Sequence, residues 1–141
     1  MFGRLTASAV ILLALYSCSK KPEYPASPGQ GDVIKINLKG LKKGEPLFLS
    51  LPYNSKRIDF FVLRINGTVQ SYFDACIKCY PKKLGYRLEG GSLICKACGM
   101  RYPIEGLKGV GSCYPIGLEG RVEGENYIIE KETVIEGWRY F

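Results

Sequence analysis

Two CxxC pairs, Cys76-Ile77-Lys78-Cys79 and Cys95-Lys96-Ala97-Cys98, are separated by residues 80–94. A linker of roughly 15–20 residues between such pairs is the spacing at which two knuckles meet on one metal. A CxxC turn aims both sulfurs at one point while the intervening amides face them. Two such turns supply four thiolates in a tetrahedron suited to zinc, iron or an iron-sulfur cluster. Cys76, Cys79, Cys95 and Cys98 are therefore the candidate ligands, and Gly99 eases the turn after the second pair. Two alternatives stay open: in an oxidising compartment the four cysteines could close two disulfides and staple a small domain, or one pair could serve thioredoxin-like redox chemistry. The second requires a CxxC that opens a helix after a parallel strand, and neither pair does so.

The chain has no histidine. That excludes covalent haem attachment, zinc-bound imidazole and any histidine-dependent triad. Glu123 and Glu125 lie on a polar, glycine-flanked stretch and read as a solvated turn, not an acid/base pair. The chemistry is that of an electron carrier or metal-binding protein more than that of a hydrolase or transferase. Cys113, in Gly111-Ser112-Cys113-Tyr114-Pro115, has no sequence partner. It is a candidate accessory ligand or reactive thiol, set against the plainer role of a buried, inert cysteine. Tyr72, Phe73, Tyr80, Tyr86 and Tyr102 read as core packing around the knuckles.

At the N-terminus, Arg4 precedes an apolar run from Leu5 to Tyr16, too short to cross a bilayer and suited to a secretory leader. It ends in Leu15-Tyr16-Ser17-Cys18, which resembles a bacterial lipobox, with residues 1–17 as signal peptide and Cys18 as the lipidation site. Residues 18–31, rich in Pro, Gly and Ser, read as a tether, and the domain as 32–141. These features predict an extracytoplasmic domain anchored to a membrane by its N-terminal lipid, on the periplasmic side or the cell surface. The net charge of +7 comes from scattered pairs such as Lys20-Lys21, Lys42-Lys43 and Lys82-Lys83. Without a dense basic helix, nucleic acid is not the expected partner, and solvated faces near an anionic membrane explain the charge better.

Within the domain, Ile34, Ile36 and Leu38 alternate with polar residues, and Leu47–Leu51, Ile58–Ile65, Thr68–Phe73, Ser92–Ile94, Met100–Ile104 and Tyr127–Ile129 are further short β-prone runs. Asn66-Gly67 sits between two of them as a type I′ hairpin signal, because that turn needs positive φ at both central residues. No run after Cys18 carries a helical period. The expected fold is all-β, a small sandwich or open barrel with two CxxC metal-knuckle loops, Rieske-like or zinc-ribbon-like. Nothing in the pattern proposes a dimer.

Taken together, FDACIKC at 73–79, Gly85-Tyr86, CKACG at 95–99 and GSCYP at 111–115 resemble the FtrD-like membrane iron-sulfur protein family. Ser112 departs from the family's usual glycine. The resemblance implies an extracytoplasmic, membrane-associated iron-sulfur or iron domain found with high-affinity iron uptake machinery. There it would donate electrons or handle iron for a permease or another redox partner. The order of strand, hairpin and two cysteine loops is also similar to Rieske-type domains, an analogy of fold only. An all-thiolate [2Fe-2S] centre lies near about −400 mV in plant-type examples, so a cluster here would be a reductant. With a single Arg4 in place of twin arginines, export is expected in an unfolded state, which favours zinc or iron acquired outside the cytoplasm.

Overall fold

A computed structural model describes residues 21–107 and 112–141. The leader, Cys18 and its expected lipid lie outside the described residues. Among the described residues, ten strands form three antiparallel sheets. β2 (Leu47–Tyr53), β3 (Lys56–Ile65), β4 (Thr68–Cys76) and β8 (Pro115–Leu118) make the largest, in the order β2-β3-β4-β8. β1 (Val33–Asn37), β10 (Asn126–Glu130) and β9 (Arg121–Glu123) make a second, and β5 (Tyr86–Glu89), β6 (Ser92–Cys95) and β7 (Arg101–Pro103) a third. The all-β expectation holds, with open sheets and no closed barrel.

The dense run in β3 is explained by burial on both faces. Ile58, Phe60 and Val62 join one core with Ile34, Ile36, Tyr127 and Ile129 from the β1-β10 sheet. Phe61, Leu63 and Ile65 join a second core with Tyr86, Leu93, Cys76 and Cys95. A strand with solvent on neither side loses the apolar/polar alternation. The second core carries the metal-knuckle loops, so β3 supports the cysteines from behind.

Asn66 and Gly67 have φ of 49° and 79°, the paired positive values of the expected type I′ turn. Asn54 and Ser55 repeat the device at 45° and 60° between β2 and β3. β2 runs on through Pro52, which the edge position of that strand tolerates. Three strands lacked a sequence signal. β9 is exposed throughout, β5 buries only Tyr86, and β8 is four residues that begin on a proline. One helix, α1 (Lys131–Glu136), also appears where no helical period was read; at six residues with only Val134 buried, it is too short to display one. Among the described residues, no helix is long and apolar enough to cross a membrane.

The expected tether, where the structure describes it, is docked. Ser27 N–H donates to Ser50 O at 2.8 Å and Ser50 N–H to Pro25 O at 2.9 Å, pairing the segment with β2. Tyr24 stacks on Phe48, ring centroids 4.9 Å apart. Lys21 Nζ reaches Asp74 Oδ2 at 2.8 Å and Asp59 Oδ2 at 3.1 Å, with both carboxylates buried. The physical reason is long-range: two carboxylates on β3 and β4 need a cation, and this segment supplies it. Removing one partner of a buried pair typically costs about 3–5 kcal/mol. Lys21→Ala should lower the unfolding free energy by that order, read as a fall in the urea midpoint at unchanged slope. An unchanged midpoint would mean that residues 21–28 do not dock.

Candidate metal centre

Each knuckle begins at the end of a strand. Cys76 closes β4 and Cys95 closes β6. Between Tyr72 and Cys76 the register of β4 against β8 shifts: Tyr72 pairs with Gly117 but Cys76 with Pro115. The bulge bends the strand end and re-aims Cys76. In the first knuckle the N–H groups of Lys78 and Cys79 donate to Cys76 Sγ at 3.3 and 3.2 Å, the amide-to-sulfur contacts that a CxxC turn was expected to make. In the second, Gly99, with φ of 75°, donates its N–H to Cys95 O at 2.8 Å and closes the turn. Lys96 N–H donates to Gly85 O at 3.0 Å, tying the two loops together.

The sulfurs of Cys76, Cys79, Cys95 and Cys113 all lie within 4.8 Å of one another. A tetrahedral thiolate site with metal–sulfur bonds of about 2.3 Å requires sulfurs about 3.8 Å apart, so this set fits one thiolate-bound metal centre. Cys98 Sγ lies outside that compact group but 2.8 Å from Cys113 Sγ. Cys79 Sγ is 3.6 Å from the same Cys113 sulfur. Cys113 therefore stands at the middle of five free thiols, joining the exposed Cys98 to the buried Cys76 and Cys95.

Its position is fixed by two tyrosines read from sequence as packing alone. Tyr86 Oη donates to Cys113 O at 2.5 Å, and Cys113 N–H donates to Tyr102 Oη at 3.0 Å. Phe61, Leu93, Ile104 and Leu107 complete an apolar wall. Two residues before Cys76, Asp74 Oδ1 accepts the N–H of Tyr86 at 2.7 Å, and Asp74 Oδ2 accepts from Tyr24 Oη at 3.2 Å. Burial pushes the Asp74 carboxyl above its ordinary range, against the pull of Lys21. A Cβ on Gly85, whose φ is 67°, would collide with this carboxylate, so the residue facing it must be glycine. Asp74 and Gly85 belong to the site's frame, and only the FDAC and GY motifs hinted at them.

The thiols differ in acidity. Burial pushes Cys95 up to about 12, past the lowering effect of the Cys98 and Ala97 amides. Burial acts likewise on Cys76, but hydrogen bonds from the Cys79 and Lys78 amides and from the Cys113 and Cys79 thiols together leave this thiol below its usual value. For Cys98 burial is again the largest single effect and raises the thiol, but hydrogen bonds from Cys113, the Met100 amide, Cys95 and Cys79 together bring it down to about 7. The thiolate is the reacting form. In the metal-free chain, iodoacetamide should label Cys98 first, at a rate that rises through about pH 7 and then levels, while Cys95 reacts only on unfolding. Peptide mass spectrometry across pH 5.5–8.5 would check this, about 1.5 units on either side of that midpoint.

No curated protein matches the chain. Among solved structures, the ferredoxin of carbazole 1,9a-dioxygenase from Nocardioides aromaticivorans IC177 aligns at 14% identity and a TM-score of 0.45, covering 71% of this chain and 98% of that one. A likeness of that size adds nothing to the argument. The model of the family described as "Membrane iron-sulfur containing protein FtrD-like" matches residues 41–141, a span that holds both knuckles and Cys113, and the chain belongs to that family.

Proposed function

We propose that the protein is an extracytoplasmic, membrane-anchored electron carrier or iron-handling component of an iron-uptake system. Its centre would be held by Cys76, Cys79 and Cys95 together with one of Cys98 and Cys113. The observation that carries this reading is the convergence of thiols from two knuckles and a third loop on one point. An all-sulfur donor set suits an iron-sulfur cluster or iron, with zinc as the alternative, and membership of an iron-sulfur family favours iron. When bound, such a group would supply one-electron exchange at low potential.

The chain's own residues do the rest. β4 and β6 deliver Cys76 and Cys95 as a preset buried pair. The Lys78 and Cys79 amides stabilise negative charge on Cys76, and Tyr86 and Tyr102 hold the third loop in register. Phe61, Leu93 and Ile104 exclude water from one side, while Cys98 marks the edge open to solvent and to a redox partner. N-terminal lipidation at Cys18 would keep the domain beside an iron permease or another membrane partner.

Metal analysis and an absorbance spectrum of the whole chain purified without oxygen test the proposal. Iron with acid-labile sulfide and visible bands is expected, and Cys76→Ser, Cys79→Ser or Cys95→Ser should abolish them. Comparing Cys98→Ser with Cys113→Ser identifies the fourth ligand as the one whose loss bleaches the spectrum. Stoichiometric zinc in a colourless protein would overturn the redox role and leave a structural zinc module, since zinc has no redox chemistry.

A further inference from the structure

Beside the metal centre lies an open groove of about 460 Å³, walled by Lys21, Lys56, Arg57, Lys83 and Phe141. Lys21 is matched by the buried Asp59 and Asp74, so among the described residues the groove's cations without a side-chain carboxylate are Lys56 and Lys83. Asp59 is buried between Lys21 and Arg57, and Glu23 sits 3.8 Å from Arg57. Lys82 adds an exposed cation on the same 3-10 turn that ends at Lys83. At the rim Trp138 is 48% exposed, with Lys56 Nζ 4.8 Å from its ring centre, and Lys56 Nζ also donates to Phe141 O at 2.7 Å. A large exposed indole among cations is the composition of a surface that sits at the level of lipid headgroups.

The path of the chain makes the same point independently. Lys21 forms part of the groove wall, so the backbone enters the domain at this face. Only Ser19 and Lys20 separate it from Cys18, and three Cα–Cα steps reach at most about 11 Å.

We propose that this face docks on an anionic phospholipid bilayer, Lys56, Arg57 and Lys83 toward the headgroup phosphates and Trp138 at the headgroup level. The domain is thereby held in one orientation. The proposal rests on the reading that Cys18 carries the lipid. Lys83 and Phe141 also wall the small cavity against which Cys76, Cys79 and Cys95 stand. The docked orientation therefore puts the cysteine cluster behind a single layer of side chains on the bilayer side, within reach of a partner embedded there.

Trp138 is the chain's only tryptophan, so its fluorescence reads this face alone. The processed, lipid-bearing chain would be reconstituted on vesicles of phosphatidylcholine, with and without phosphatidylglycerol, and followed by flotation, emission wavelength and quenching by nitroxide lipids labelled at the headgroup. The protein should float with both vesicle types. A blue shift and quenching should appear only with phosphatidylglycerol and be reversed by salt. Lys56→Gln with Lys83→Gln should reduce the ratio of docked to undocked protein about 30-fold, at about fivefold per lysine, with an unchanged circular dichroism spectrum. Floating protein whose emission is the same on both vesicles overturns the docking and leaves the anchor standing. If the double variant misfolds, the salt response of the unaltered chain decides alone. A chain that does not float overturns the lipid anchor and the docking with it.

Discussion

The Asp74 carboxylate organises the site. Its side chain has no exposure to solvent, and a charge so placed persists only when surrounded by donors. Two parts of the chain supply three of them: Lys21 and Tyr24 from the N-terminal segment, and the Tyr86 amide at the start of β5. The last of these sets where the β5-β6-β7 sheet meets β4. The distance between Cys76, two residues after Asp74, and Cys95, the register partner of Tyr86, follows from that junction. To the packing of Phe61 against Tyr86 and Leu93 the buried carboxylate adds a directional contact that is satisfied in one alignment of the two sheets.

Around that frame the cysteines form a gradient. Cys76 and Cys95 are buried, Cys79 is half-buried and Cys98 is open to solvent. Several thiolates gathered in an apolar wall repel one another and are poorly solvated, so the site favours a cation at its centre. Cys113, buried and in contact with both Cys79 and Cys98, has its thiol pushed up by those neighbours and by burial. The third loop thus brings a fifth sulfur into a site whose sequence pattern displays four.

Features set by local chemistry were legible in the sequence. The Asn66-Gly67 turn, the two knuckles and the long apolar run of β3 each follow from a few adjacent residues. Features that depend on distant partners were not. Nothing near Lys21 announces the two buried carboxylates that hold it, so its proline-rich surroundings read as a tether. β5, β8 and β9 exist through their pairing partners, since their own residues are few, and those of β5 and β9 are largely exposed. Cys113 was visible as a cysteine without a mate; its place among the others depends on Tyr86 and Tyr102, whose hydroxyls carry no sequence signature distinct from packing.

The pairing of residues 25–27 with β2 also bears on how the chain avoids its own kind. β2 ends the four-stranded sheet, and an uncovered strand edge is a template for another molecule's strand. The N-terminal segment caps part of that edge with main-chain hydrogen bonds at Ser50, and Pro52 removes a donor further along. Under the proposed membrane anchoring, chains confined to a two-dimensional surface would meet one another far more often than chains in bulk solution. A segment held by Lys21 and Tyr24 against the sheet is thus also a guard against edge-to-edge association. Whatever pulls it away would turn neighbouring copies into nuclei for aggregation.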